Sequence, residues 1–320
     1  MKQLPDFIKL ESKPCPNGCQ DESIKVLEGF DRLHHLPGIF SVYKCLGCGL
    51  ERTDPRPTTD AIGFYYPSDY APYYDNQTRI KSPTPVKNWL FEKLGLKDKQ
   101  LPKRDPGRML EIGCASGNYM ELMREGGWHV EGIEFSPEAA KQAINKGFNI
   151  QVGAVETAEP PEKPFDLIVG WMVLEHLHKP IEVLNELRMW MKPDGYLLLS
   201  VPDKSSINRR LFGELSYDLQ LPTHLYHFDR KSIKLTLTTA GWSVERIFWQ
   251  RNCNTFMMSC QYWAEDRRKE KILRLVQWVR TANSAKYIRL MLSVVLGFTK
   301  QSGRMEVWAR PVKTDASGNR

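Results

Sequence analysis

A doubly wound α/β domain with a parallel sheet, preceded by a small cysteine-bearing module, is the fold predicted by these 320 residues. Three observations predict it. Between residues 107 and 250, strand-like and helix-like segments alternate, as βαβ units require. The central strand-like segments, above all FDLIVGWMV, are apolar at successive positions, so both faces of their sheet must be covered by helices. Two tight cysteine pairs, CPNGC and CLGCG, stand within the first 50 residues, where a chain without an export signal has little use for disulfides. A composition of 41% hydrophobic and 26% charged residues is enough for a full core.

Taken in order, residues 1–57 hold four of the seven cysteines and form the N-terminal module. Residues 58–106 connect it to the core, through the aromatic FYYPSDYAPYYDN, the helical PVKNWLFEKLGL and the polar KDKQLPKRDPG. The first core strand is RMLEIG, 108–113, followed by the helix NYMELMREGG with Gly126 and Gly127 as its stop. The strand HVEGIEF, 129–135, leads to a helix capped by Ser136, with Pro137 at its first position and Gly147 at its end. Strands at 148–153 and 165–173 follow, then the helix PIEVLNELRMWMKPDG, which should end before Pro193. The strand YLLLSVP, 196–202, the helix DRKSIKLTLTTAG, 229–241, and the strand SVERIFWQ, 243–250, complete the alternation, and RMEVWARP, 304–311, reads as one more strand.

Residues 251–303 stand apart as a helical insertion, with ILRLVQWVR and YIRLMLSVVLGF apolar at helical spacing and studded with arginine. The longer run is far short of the roughly 20 residues that span a bilayer. These helices are expected either to pack over the sheet edge or to touch a membrane surface through 265–300. Residues 265–289 carry eight Lys/Arg against three Asp/Glu, within a formal net charge of +7. Such a patch suits an acidic substrate, a membrane, nucleic acid or simply solvent. The tail 313–320 reads as disordered, and MKQLPDFIKLESK lacks the apolar run of a signal peptide, so a cytoplasmic location is expected.

The bend LEIGCASGNYM, 110–120, has a strand, a small-residue turn and a helix in the order of a nucleotide cradle. Its spacing is wrong for a dinucleotide. Counted from Gly113, the second and third glycines of that fingerprint are Ala115 and Asn118, while Gly117 comes one place early. The ordered segments LEIGCASG, HVEGIEFS, FDLIVGWMVLEHLHKP, LRMWMKPDGYLLLSVPD and LPTHLYHFDRKSIKLTLTTAGW together resemble the class I S-adenosylmethionine-dependent methyltransferases. The resemblance spans residues 107–250 and implies a seven-stranded, mostly parallel, Rossmann-like sheet whose last strand is antiparallel, extending the domain to residue 312. It also resembles a bacterial subgroup in which a zinc-binding module precedes the methyltransferase domain, with members linked to surface-polysaccharide and deoxysugar biosynthesis.

The resemblance implies S-adenosylmethionine as cofactor. Gly113, Ala115 and Gly117 would then pass close to its methionine part, Glu111 would face its ammonium and Glu134 would accept bonds from the ribose hydroxyls. Phe135, Val155, Glu156 and Trp171 complete the expected cofactor contacts, with Ala154 standing where family members often carry an acid toward the adenine. Methyl transfer needs alignment of nucleophile, methyl and sulfur, and a base only where the acceptor must lose a proton. Glu175 and His176 in VLEHLHKP, and His224 and His227 in LPTHLYHF, are the candidates. Cys15, Cys19, Cys45 and Cys48 have zinc-ribbon spacing, three residues in the first pair and two in the second, and are expected to hold one structural zinc. The expected acceptor is a small or carrier-linked molecule, foremost a sugar hydroxyl of a surface glycan, with a phenolic or quinone-like lipid precursor as the alternative. Nucleic-acid binding is not expected, because residues 1–57 lack a dense basic stripe with interleaved aromatics. The oligomeric state is left open.

Overall fold

The computed structural model describes residues 4–20, 22–67 and 104–312. Most of the aromatic connector, the helix expected at 85–96 and the tail 313–320 lie outside these residues. A seven-stranded sheet forms the centre. Its strands in chain order are β6 (Arg108–Ile112), β7 (His129–Glu134), β8 (Asn149–Val152), β9 (Phe165–Trp171), β10 (Met191–Pro202), β12 (Trp242–Trp249) and β13 (Arg304–Pro311). They lie in the order β12-β13-β10-β9-β6-β7-β8, and β13 runs antiparallel between its two neighbours. The expectation of one antiparallel strand at the end of the chain is met.

Alternation along each strand divides the core in two. Met109, Leu167, Val169, Leu198 and Trp308 face one layer. Leu110, Ile112, Ile168, Leu197, Leu199 and Val307 face the other. The helices Asn118–Glu125, Pro137–Asn145, Pro180–Met189 and Arg230–Thr239 cover them. Ser136 caps the second of these, its hydroxyl accepting from the Ala139 amide at 3.3 Å, and Asp229 and Ser232 form a reciprocal capping box on the fourth. The third helix stops at Met189, three residues before the expected end, because the strand Met191–Pro202 begins just after it and Pro193 lies inside that strand, within a register shift between Met191 and Tyr196. Proline is tolerated there because the regular ladder starts only after the shift.

The module carries β1 (Leu10–Glu11), β2 (Ser23–Gly29), β3 (Phe40–Cys45), β4 (Glu51–Thr53) and β5 (Arg56–Pro57). Its four-stranded sheet has the order β11-β4-β3-β2, and β11 is Tyr226–His227, a piece of the core. Module and core therefore share one sheet as well as one apolar interior, in which Ile8, Phe40, Val42 and Leu50 cluster with Leu225, Phe228, Ile233 and Trp242. Lys204 and Arg209 from the core both reach Glu51 at 3.1 Å. Residues 251–303 form three helices, Asn254–Asp266, Glu270–Thr281 and Lys286–Phe298. The latter two carry the segments read as helical. The first was missed, because its amphipathic pattern is weak and no cap residue announces it. Among the described residues no helix is long and apolar enough to cross a membrane.

Candidate active site and candidate metal centre

The loop after β6 is set by backbone conformation. Gly113, Ala115 and Gly117 all have positive φ, at 65°, 48° and 77°. Glycine adopts this region without cost, whereas Ala115 pays the Cβ penalty there. Gly117 also caps the helix Asn118–Glu125, and a Cβ there would stand 3.1 Å from that of Ala143. The three small residues thus answer to the turn itself, whatever they pass close to.

Glu134, at the end of β7, clamps this loop. Its Oε2 accepts from the Ala115 amide at 2.7 Å and its Oε1 from the Ser136 amide at 2.8 Å. Burial raises its pKa, and the backbone donors at Ser136, Ala115 and Phe135 oppose the rise. Glu111 is buried in the neighbouring strand, and both carboxylates act with burial to push the Cys114 thiol up. Two acids beside one bend repel a diphosphate, which a Gly-rich bend would otherwise attract to its helix N-terminus. They suit a ligand that presents hydroxyls and positive charge, and an ionised carboxylate oxygen that already accepts one bond can accept another. The donor chemistry of the bend therefore fits S-adenosylmethionine.

The other expected cofactor contacts are scattered. Phe135 is half exposed, with its ring centroid 6.2 Å from that of Tyr66. Val155 is buried, and Glu156 accepts from the His178 amide at 3.1 Å, so that carboxylate ties two loops. Trp171 sits in the core layer beneath the first helix, edge-on to Tyr119 at 5.2 Å.

Three of the four candidate catalytic residues come together. Glu175, His176 and His224 bring their ligand atoms within 4.8 Å of one another, close enough to share one proton or one small cation. His176 Nδ1 lies 2.9 Å from the Thr223 carbonyl and His224 Nδ1 lies 2.9 Å from that of Asp218. A carbonyl only accepts, so both Nδ1 atoms carry hydrogen and both Nε2 atoms are left as acceptors. The rings meet edge to face at 4.7 Å. Desolvation lowers the pKa of His176 to about 4 and takes that of His224 well below its usual value, so both stay neutral at pH 7. Glu175 is fully buried, neither of its side-chain oxygens has a hydrogen-bond partner, and desolvation lifts it to about 8. His227 stands aside, with its Nε2 3.3 Å from the Thr53 hydroxyl of the module.

Residues that sequence reasoning missed complete this group. The Tyr66 hydroxyl is 2.8 Å from His176 Nδ1, and the only signal for it was its place in the aromatic connector. Asp218, buried and raised to about 7 by desolvation, holds His224 through its carbonyl and takes a bond from Asn208 at 2.7 Å. No motif surrounds it.

In the module, the Sγ atoms of Cys15, Cys19, Cys45 and Cys48 all lie within 4.8 Å of one another, with Cys15 and Cys48 at 3.5 Å. Sulfurs bound to zinc at about 2.3 Å stand about 3.8 Å apart in a tetrahedron. Turns at Gly18 and Gly49 fold each pair inward, and the Asn17 amide donates to Cys48 Sγ at 3.6 Å, a neutralising contact typical of metal thiolates. Burial and the neighbouring sulfurs push Cys15 and Cys19 up, while the backbone donors at Cys48 and Gly47 act against burial to bring Cys45 down, and a bound cation would favour the thiolate in each. None of the seven cysteines is in a disulfide. This set fits a tetrahedral metal.

Residues 88–247 match the model of a family described as a methyltransferase domain. The ubiquinone biosynthesis O-methyltransferase of Pseudomonas aeruginosa (strain UCBPP-PA14) is 30% identical over 192 residues, covering 56% of this chain and 74% of that protein. Its namesake in Haemophilus ducreyi (strain 35000HP / ATCC 700724) is 35% identical over 116 residues, covering 32% of this chain and 47% of that protein. Among solved structures, an S-adenosylmethionine-dependent methyltransferase from Mesorhizobium loti aligns with a TM-score of 0.46 at 14% identity, over 71% of this chain and 98% of that one.

Proposed function

The chain belongs to the methyltransferase-domain family, as a class I S-adenosylmethionine-dependent methyltransferase, and from that premise we propose that it methylates the hydroxyl of a phenolic or quinone-precursor acceptor. The observation that carries this reading is the buried acceptor group of Glu175, His176 and His224, in a chain similar to O-methyltransferases. S-adenosylmethionine, when bound, supplies an electrophilic methyl with a neutral thioether as leaving group. Glu134 and the bend from Gly113 to Gly117 would hold it, with Glu111 toward its amino-acid end. His224, neutral and fixed by Asp218, accepts the proton of the acceptor hydroxyl at Nε2, and His176 is its equivalent on the Thr223 side. Glu175 stands next to both as the most basic group of the three. Cys15, Cys19, Cys45 and Cys48 hold one structural zinc in this reading.

A carrier-linked sugar hydroxyl is the second reading. It is favoured by Thr53 of the module and Tyr66 of the connector, which reach His227 and His176 although residues 1–67 precede the stretch that matches the family model. The exposed side chains of Leu275, Trp278, Tyr287, Met291 and Phe298, among basic neighbours, suit a peripheral contact with an anionic membrane at its cytoplasmic face, which either carrier-borne acceptor would use. Labelled methyl transfer to a polyprenyl catechol and to lipid-linked and nucleotide-linked sugars, side by side, tests both. Transfer to the catechol that falls at least 100-fold in His224→Gln is the expected result. Transfer to sugars alone would replace the leading reading with the second, and transfer to neither, with the cofactor bound, would end both.

A further inference from the structure

A cavity lies away from the methyl-transfer group, among the three helices of residues 251–298. Its volume is about 240 Å³, and Arg251, Arg280 and Arg289 line it with Asn252, Asn254 and Ser293. No carboxylate is among its walls. Among the described residues, none of the three guanidinium groups has an acid within ion-pair distance, although Arg32, Arg267, Arg274 and Arg310 nearby in the chain or fold all do.

The three arginines are held in place by contacts with neutral groups, and among the described residues no carboxylate pairs with their charge. Arg289 Nη1 donates to the carbonyls of Val279 at 2.7 Å and Ala282 at 2.8 Å, at the end of the helix Glu270–Thr281. Arg280 donates to Gln261 Oε1, and its Nε is buried without a partner. Arg251 crosses the helix Lys286–Phe298 at Gly297, where a Cβ would stand 2.5 Å from Arg251 Cγ and 3.1 Å from its Cα. Glycine weakens a helix interior, and at this point it lets the arginine lie flat against it. The 13-residue helix Asn254–Asp266 opens on the cavity through Cys253, Asn254 and Met257, which adds the positive end of its dipole.

We propose that this cavity binds a phosphoryl group, with a diphosphate as the form that fills it. Guanidinium groups keep their charge at every physiological pH and match phosphate oxygens with paired donors. The volume is several times the roughly 30 Å³ share of one water molecule, so it admits more than a small halide. Asn252, Asn254 and Ser293 supply neutral polar groups around the charge. The phosphate can belong to a soluble ligand or to a lipid headgroup, since Leu275, Trp278 and Met291 lie exposed on two of the same helices.

Calorimetric titration of the full chain with inorganic pyrophosphate, at about physiological salt where weak surface attraction is screened, tests the proposal. Co-sedimentation with phosphatidylcholine vesicles containing phosphatidylglycerol is the second arm. Saturable 1:1 binding of pyrophosphate, weakened at least 10-fold in Arg251→Gln/Arg280→Gln, is expected and points to a soluble source. Sedimentation that falls in the same variant, without pyrophosphate binding, supports the proposal with a headgroup as source. Binding in neither arm, or binding that the variant leaves unchanged, overturns it. S-adenosylhomocysteine titration reports separately on the methyl-donor site and shows whether the variant is folded. If it is not, phenylglyoxal labelling of the unaltered protein decides: pyrophosphate or vesicles must protect Arg251 and Arg280, and equal labelling with and without them overturns the proposal.

Discussion

Glu134 illustrates how one side chain can serve both fold and ligand. Each oxygen already accepts a backbone N–H, from Ala115 and from Ser136, so the carboxylate fixes the bend, and in the proposed reading it would also meet the ribose. In Glu134→Gln, one of those amides must meet an NH2 group. The expected cost is about 1–3 kcal/mol in urea unfolding, the penalty for an unpaired buried donor, together with at least a 10-fold weaker affinity for S-adenosylhomocysteine by calorimetry. Unchanged affinity would remove Glu134 from the cofactor site. Glu175 sets the pH behaviour. Its pKa is raised from 4.5 to about 8, so the carboxylate form that takes the proton on from His224 appears only as pH rises through that value. Turnover is expected to climb up to about pH 8 and then level, and Glu175→Gln to flatten the rise. Stability moves the other way, because the folded chain keeps a proton that the unfolded chain releases above 4.5, so Glu175 costs stability progressively from there to about pH 8. His176, lowered from 6.5 to about 4, removes stability as pH falls through that window, and urea midpoints across pH 4–9 should show both flanks. Glu134 was legible because an acid about 20 residues after such a bend has a known use. Tyr66 and Asp218 were not, because they reach their histidines through tertiary contacts and, for Asp218, through a carbonyl that every residue possesses.

At the scale of elements, a helix-covered sheet was legible from alternation, because helices on both faces demand apolar strands, whereas the antiparallel last strand was implied by the resemblance and the lateral order of the strands is seen only in the structure. Element ends were less legible. Pro193 could stop a helix or precede a strand ladder, and only the register shift after Met191 decides it. The module gave up its cysteines to spacing but not its strands, since β2 is largely exposed, β3 buries only three of its six residues, and β11 is two residues of the core that pair with β4. That pairing carries a consequence for the metal. Cys45 ends β3 and Cys48 lies in the turn leading to β4, so whatever holds the four sulfurs also holds the strand beside Tyr226 and His227. One zinc per chain is expected by elemental analysis. Its removal, or Cys45→Ser, should lower the melting temperature by 10 °C or more, on the order of the 2–5 kcal/mol expected from losing a closed cross-link in a small module. Acceptor methylation should fall further than cofactor affinity, because the His224 carbonyl is held by Thr53 of the module while Glu134 bonds within the core. Equal loss of both would show the zinc to be a general brace only.

For the whole molecule, the question is whether residues 1–57 form a separate domain, as their composition suggests, or an inseparable part of one body. Ile8, Phe40, Val42 and Leu50 are buried in the same cluster as Leu225, Phe228, Ile233 and Trp242. Arg56, itself buried, donates to the Tyr226 hydroxyl at 2.9 Å and the His178 carbonyl at 3.1 Å. The Thr53 hydroxyl donates to the His224 carbonyl at 2.7 Å. None of this is visible in a linear pattern, since contacts between residues 170 positions apart leave no local signature. Removing residues 1–57 would expose the apolar floor beneath β11, leave a strand edge unpaired and free two carbonyls next to the histidines. Each fully buried aliphatic or aromatic side chain brought into water costs about 1.5–3 kcal/mol, so four or five of them cost as much as the 5–15 kcal/mol that holds a typical domain together. A chain of residues 58–320 is therefore expected to aggregate on expression or to unfold without a cooperative transition, and co-expression of residues 1–57 as a separate peptide to restore solubility. A soluble 58–320 with sharp unfolding and native affinity for S-adenosylhomocysteine would show instead that the shared interior contributes little, and that the module was joined to a core already able to stand alone.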